Sequence, residues 1–133
     1  MIKDLAGLAC VAEMRLALAG IDWDVIKVSR FLGLRAIENM SDPGAITVDP
    51  YPAAPSLYFF VPVGAAAGWR MPQTVAFGRG MTVLLAPDHK EVPPGPFWLI
   101  QRSHGLTQAA ELRRELEAAR GPSATSDDEG GKP

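Results

Sequence analysis

Cysteine is almost missing from this chain: Cys10 is the only one among 133 residues. One thiol cannot close a bridge within a chain, so no disulfide framework staples the fold. Set among Leu8, Ala9, Val11 and Ala12, it reads as a small buried apolar residue with no base or cationic neighbour to activate it. Histidine is nearly as scarce. His89 and His104 together with that cysteine provide no C-x-x-C, no H-E-x-x-H and no paired ligand spacing, so neither a metal nor another cofactor is expected. Nor is there an excess of charge of one sign. Thirteen bases face fifteen acids for a net charge of −2, and Asp127, Asp128, Glu129 and Lys132 near the C-terminus account for that surplus. The remainder is neutral, whereas nucleic-acid binders usually carry a basic stripe, because phosphate neutralisation supplies most of their affinity. Nucleotide or nucleic acid stays open as a partner, but charge does not favour it.

Long apolar runs are lacking too. The opening twenty residues, MIKDLAGLACVAEMRLALAG, are interrupted by Asp4, Glu13 and Arg15, which fits neither an export signal nor a membrane span of about 20 apolar residues. A cytoplasmic protein without membrane contact is the expectation. Catalytic patterns are equally thin. There is no G-x-S-x-G, and the adjacent Ser103 and His104 point apart on any extended segment, so they do not make a nucleophile and its base. FGRGMT is followed by a strand pattern and not by a helix N-terminus, unlike a phosphate-cradling loop. No catalytic residue is assigned, and the chain is expected not to be an enzyme.

What is present suits one globular domain. Hydrophobic residues make up 47% and charged residues 21%, a balance that supports a buried core at this length. Residues 2–19 read as a helix: Leu5, Leu8, Ala9, Ala12, Leu16 and Ala19 recur at three- and four-residue spacing, with Gly20 as a stop. Ile2, Val11, Met14 and Leu18 lie off that stripe, giving a second apolar face that reads as an interface with a protein partner or another copy of the chain. IDWDVIKVS predicts a strand with Asp24 and Lys27 outward. Ser29 then caps a helix whose face is Phe31, Leu34, Ile37 and Met40, with Gly33 weakening its first turn. SDPG is a turn.

The pattern then becomes β. AITVD, SLYFFV, TVAFG, MTVLLA and FWLIQ predict strands, the third and fourth joined by Gly78 and Gly80. GAAAGW between them predicts a helical turn or compact loop. Thr107 and Gly121 bound a last helix with Ala109, Leu112, Leu116 and Ala119 as its seam. Residues 121–133 hold no large apolar side chain and are expected to form a disordered acidic tail. The expected architecture is α+β over residues 1–120: a mostly antiparallel sheet of about five to six short strands, helices on one face, and a C-terminal helix.

The segments WDVIKVSRFLGLRAIENM, GAITVDP, SLYFFVPVGAAAGW, FGRGMTVLLAP and PGPFWLI, spanning residues 23–100, resemble the primase-polymerase (Prim-Pol) N-terminal domain in its short actinobacterial form. The resemblance implies strands of an RRM-like catalytic half. The family's first motif holds two acids one residue apart that bind divalent metals. Asp49 matches the second, and Thr47 stands at the first. Tyr58 stands where the family has a phosphate-contacting histidine. With one acid the two-metal centre is incomplete, so the resemblance implies a degenerate scaffold without polymerase chemistry. A surviving nucleotide pocket would use Asp49 and Tyr58, with Arg70 and Arg79 as phosphate partners.

Overall fold

The computed structural model describes residues 14–120. Cys10, Ile2, Val11, most of the predicted first helix and the acidic tail lie outside the described residues. Seven strands and two helices follow in the order β1 (Arg15–Leu18), β2 (Asp24–Ser29), α1 (Arg30–Ile37), β3 (Ile46–Asp49), β4 (Ser56–Val61), β5 (Thr74–Phe77), β6 (Thr82–Leu85), β7 (Phe97–Ile100) and α2 (Ala109–Arg120). A single 3-10 turn, Arg102–His104, precedes α2. Five strands make an antiparallel sheet in the order β5-β2-β4-β3-β7, while β1 and β6 form a separate two-stranded ribbon. Both β2 and β3 run antiparallel to β4, so they are parallel to each other with α1 crossing between them, a split βαβ unit. The predicted α+β class, antiparallel sheet and C-terminal helix are all found.

Alternation along the strands separates two faces. Ile26, Val28, Ile46, Val48, Leu57, Phe59 and Val61 point to one side and are buried with Leu32, Ala36, Leu112 and Leu116 of the two helices. Ser29 ends β2 and caps α1, its hydroxyl accepting the Leu32 N–H at 3.3 Å. Gly33 is where the helix comes down on the sheet: a Cβ there would stand 2.6 Å from Leu57 Cδ1. On the opposite side, Val25, Phe60 and Trp98 meet Val83 and Leu85 of the ribbon. Phe60 is held between Trp23, edge-on at 4.9 Å, and Trp98 at 5.6 Å, separations suited to ring-quadrupole attraction.

Several expectations are corrected. Within the predicted first helix, Arg15–Leu18 is a strand paired with β6. RLAL satisfies both periods over so few residues, and the backbone partner decides the outcome. Gly20 therefore ends a strand and not a helix; at φ +90, its Cβ position would be 2.5 Å from Arg79 Cα, so two chain segments cross there. With β1 the described residues hold seven strands, five of them in the main antiparallel sheet as expected. The buried face of α1 is Leu32, Gly33 and Ala36, and Phe31 is 71% exposed. Leu32 packs inward beside the small Gly33 and Ala36, Ile37 and Met40 join the core as expected, and Phe31 and Leu34 fall on the outer side of the helix. Asp24, expected outward, is only 2% exposed, because it shares the phase of Ile26 and Val28. β5 pairs with β2 and β6 with β1, so the glycines at 78 and 80 carry the chain between sheets. Thr107 is fully buried, its hydroxyl accepting the Gly44 N–H at 2.8 Å.

Candidate functional site

Asp49 and Tyr58 lie on the same side of the five-stranded sheet. Thr47 faces Tyr58 across the β3–β4 ladder and Asp49 faces Ser56, so Thr47, Asp49 and Tyr58 share the side opposite the helices. Asp49 Oδ1 accepts the Tyr51 N–H at 3.1 Å. Burial pushes the Tyr58 hydroxyl above its ordinary value of 10.0, and the negative charge of Asp49 adds to the rise. The Lys27 ammonium stands 5.8 Å from the Tyr58 ring centroid. Thr47 is buried between Tyr58 and Trp98 on the neighbouring strands.

Arg70 and Arg79 do not join this group in one pocket. Arg70 is exposed in the connection between β4 and β5. Arg79 lines a different cavity together with Asp24. Asp24 faces Val61 at one end of the β2–β4 ladder, and Asp49 faces Ser56 at the other. At about 3.4 Å per residue the two ends are roughly 17 Å apart.

The ribbon carries exposed aliphatic side chains on its outer face. Ala17, Val83 and Leu85 turn inward, while Leu16 faces Leu84 and Leu18 faces Thr82 across the ladder on the outer side. Leu16 is 70% exposed, Leu18 50% and Leu84 44%. Neither β1 nor β6 pairs with a further strand among the described residues. Of the four residues expected at an interface, Leu18 is thus on this outer face. Met14 is half-buried, its methyl 3.0 Å from the position a Cβ would take at Gly95.

A third arrangement escaped sequence reasoning. At the start of β2, Asp24 Oδ2 accepts two backbone N–H groups, from Gly64 and Ala66, each at 2.9 Å. These belong to GAAAGW, which folds into successive turns closed by the Ala65 N–H to Pro62, Ala67 to Gly64 and Trp69 to Ala66. Asp24 Oδ1 is buried with no hydrogen-bond partner among the described residues. Leaving such a group unsatisfied costs roughly 1–3 kcal/mol, and more if charged. Asp24 lines a cavity of about 490 Å³ with Gly64, Ala66, Gly78, Arg79 and Met81. The signal in sequence was the phase: an acid two residues before Ile26 and four before Val28 sits where alternation demands a buried residue.

Among the described residues no three His, Cys, Asp or Glu converge as a metal site, and no helix is long and apolar enough to cross a membrane. No family model matches the chain, and neither a curated protein nor a solved structure matches it.

Proposed function

We propose that this chain is a non-enzymatic interaction domain that associates with a second copy of itself through β1. The observation that carries the reading is the apolar outer face of the ribbon beside a strand edge that is unpaired among the described residues. Edge strands are normally protected by charge, proline, a bulge or a covering segment. Here β1 reads RLAL, with two exposed leucines and one terminal charge. A two-fold axis through Ala17 sets Leu16 of one copy against Leu18 of the other and joins the ribbons into a four-stranded sheet. Because side chains alternate, only registers of this parity keep the leucines on one face. The same register sets Arg15 against Ala19, so no like charges meet. Such an isologous contact is the commonest route to a dimer.

Light scattering coupled to size exclusion of the full chain, at two concentrations, tests this. The expected result is a dimer that becomes a monomer on Leu16→Lys with Leu18→Lys, with unchanged thermal unfolding of the monomer. A monomer at every concentration, or a dimer indifferent to both substitutions, overturns it. A heteromeric partner would then be the surviving form of the interaction reading.

A nucleotide- or nucleic-acid-binding module on a Prim-Pol-like scaffold is the second reading. It draws support from Asp49, Tyr58 and Lys27 lying on one sheet face, where an aromatic ring and a cation can stack and pair. Fluorescence polarisation with labelled single-stranded DNA and with nucleotide at low salt tests it. Salt-sensitive binding lost in Tyr58→Ala is expected, and its absence removes the reading.

A further inference from the structure

We infer that the acidic C-terminal segment, residues 121–133, docks back on its own domain at the cationic groove formed by Lys27, Arg30 and Arg35. The contact depends on neither reading of function given above.

Three cations gather at the N-terminal end of α1. Lys27 and Arg30 line one groove of about 300 Å³ together with Phe31, Pro55 and Val75. The Arg35 guanidinium carbon lies 5.6 Å from the Phe31 ring centroid, so this side chain leans back over the first turn and joins them. Arg30, Phe31 and Arg35 are all exposed. Arg102, Arg113 and Arg114 each have a carboxylate within 3.6 Å, but among the described residues none of the three groove cations has one. Asp49 faces Ser56 at this end of the sheet and is not paired with them; its Oδ1 accepts the Tyr51 N–H. The groove is thus left with a local positive charge that an acidic segment can match.

Topology delivers such a segment to this place. α1 starts where β2 ends, at Ser29 opposite Ser56, and runs toward the Val61 end of β4. Just beyond it, the Ser41 N–H and hydroxyl donate to Glu111 Oε2 in the first turn of α2, at 3.2 and 3.3 Å. At that same end the Thr107 N–H donates to the Phe60 carbonyl at 2.8 Å. Leu112 and Leu116 then pack in one layer with Leu32 and Ala36, so α2 returns antiparallel to α1. A rise of 1.5 Å per residue gives α2 a length of about 18 Å, close to that of β4. Arg120 therefore emerges at the Ser56 end, beside the first turn of α1.

Length and charge complete the match. Asp127, Asp128 and Glu129 follow Arg120 by seven to nine residues. Seven extended residues span up to about 25 Å, whereas packed helices lie only about 8–10 Å apart. Between them stand Ser123, Ala124, Thr125 and Ser126, small enough for the backbone to lie close along Phe31 and Pro55. Exposed ion pairs are weak between separate molecules. Here the two halves share one chain at an effective concentration on the order of millimolar, which populates the contact. A docked segment also screens Lys27, the cation beside Tyr58, from other anions.

Amide NMR of the full chain tests the docking, with the wild type set against an Asp127→Asn, Asp128→Asn, Glu129→Gln variant. Amide signals of residues 27–35 are expected to shift, and those of residues 82–85 in the ribbon to stay. At 1 M salt, where the screening length falls to about 3 Å, the wild-type signals are expected to move to the variant's positions. In the reciprocal variant, Arg30→Gln with Arg35→Gln at two exposed positions, signals of residues 123–129 are expected to move to their high-salt positions. Unchanged signals at residues 27–35 in the first variant overturn the docking. Differences that persist at 1 M salt overturn its electrostatic basis. Differences that grow with protein concentration place the segment on a second copy and overturn docking on its own domain.

Discussion

The two faces of the five-stranded sheet are built from the same strands yet differ in completeness. On the helix side, every inward residue from Ile26 to Val61 meets another apolar side chain, with Leu112 and Leu116 of α2 closing the layer. On the other side, aromatics and the ribbon cover Val25, Phe60 and Trp98, while Lys27, Tyr58 and Asp49 stay partly open. Beyond Asp24 at its end, the first face is a closed packing problem and carries stability. The second mixes apolar, aromatic and charged groups, and its outermost layer, the ribbon, ends in uncovered leucines. Difference in composition on two sides of one sheet thus separates what holds the fold from what is free to meet a partner.

That contrast makes graded predictions. Phe59→Ala removes a fully buried ring from the helix side and is expected to cost about 3–5 kcal/mol in chemical unfolding; a loss below 1 kcal/mol would show that this layer is not the stability core. Gly33→Ala sets helix propensity against packing. Propensity favours alanine by up to about 1 kcal/mol, but a Cβ 2.6 Å from Leu57 Cδ1 overpacks a layer without slack. A net loss of roughly 1 kcal/mol is expected, restored in part by Leu57→Val; a stabilised single variant would mean that the layer yields.

The smallest effect belongs to the open side. The Tyr58 phenol is held protonated above 10.0 first by burial and then by Asp49. A phenol whose folded value is raised contributes stability fully below its unfolded value, and that contribution disappears as pH rises through the folded value. In a Tyr51→Phe background, which leaves Tyr58 as the only tyrosine, phenolate absorbance is expected to appear above pH 10. Asp49→Asn should bring the midpoint down only partway, because burial remains. A midpoint unchanged by Asp49→Asn would separate the two residues electrically.

Elements were legible in the sequence where local pattern and tertiary context agree. β3 and β4 are β-branched or aromatic runs bounded by turn residues, and α2 shows Leu112 and Leu116 amid charges. Ser29 was readable as a cap because its side-chain chemistry is local. Reading failed where a distant segment decides. β1 is four residues whose strand state depends on β6. The face of α1 depends on how closely Gly33 approaches Leu57. β5 and β6 are chain neighbours assigned to different sheets. Candidate-site residues divide likewise: Asp49 and Tyr58 share a sheet face, but only the fold puts Arg79 with Asp24. Asp24 was misjudged because polarity was weighted above phase.

The ribbon also fixes an order of events during synthesis. β1 leaves the ribosome well before β6, the strand that pairs with it. At roughly 5–20 residues per second, the about 60 residues between Leu18 and Thr82 keep β1 waiting for several seconds. Throughout that interval Leu16 and Leu18 sit on a nascent chain with no strand to hold them. Chaperone demand in the cell should therefore track these two leucines, even though neither contributes to the finished core.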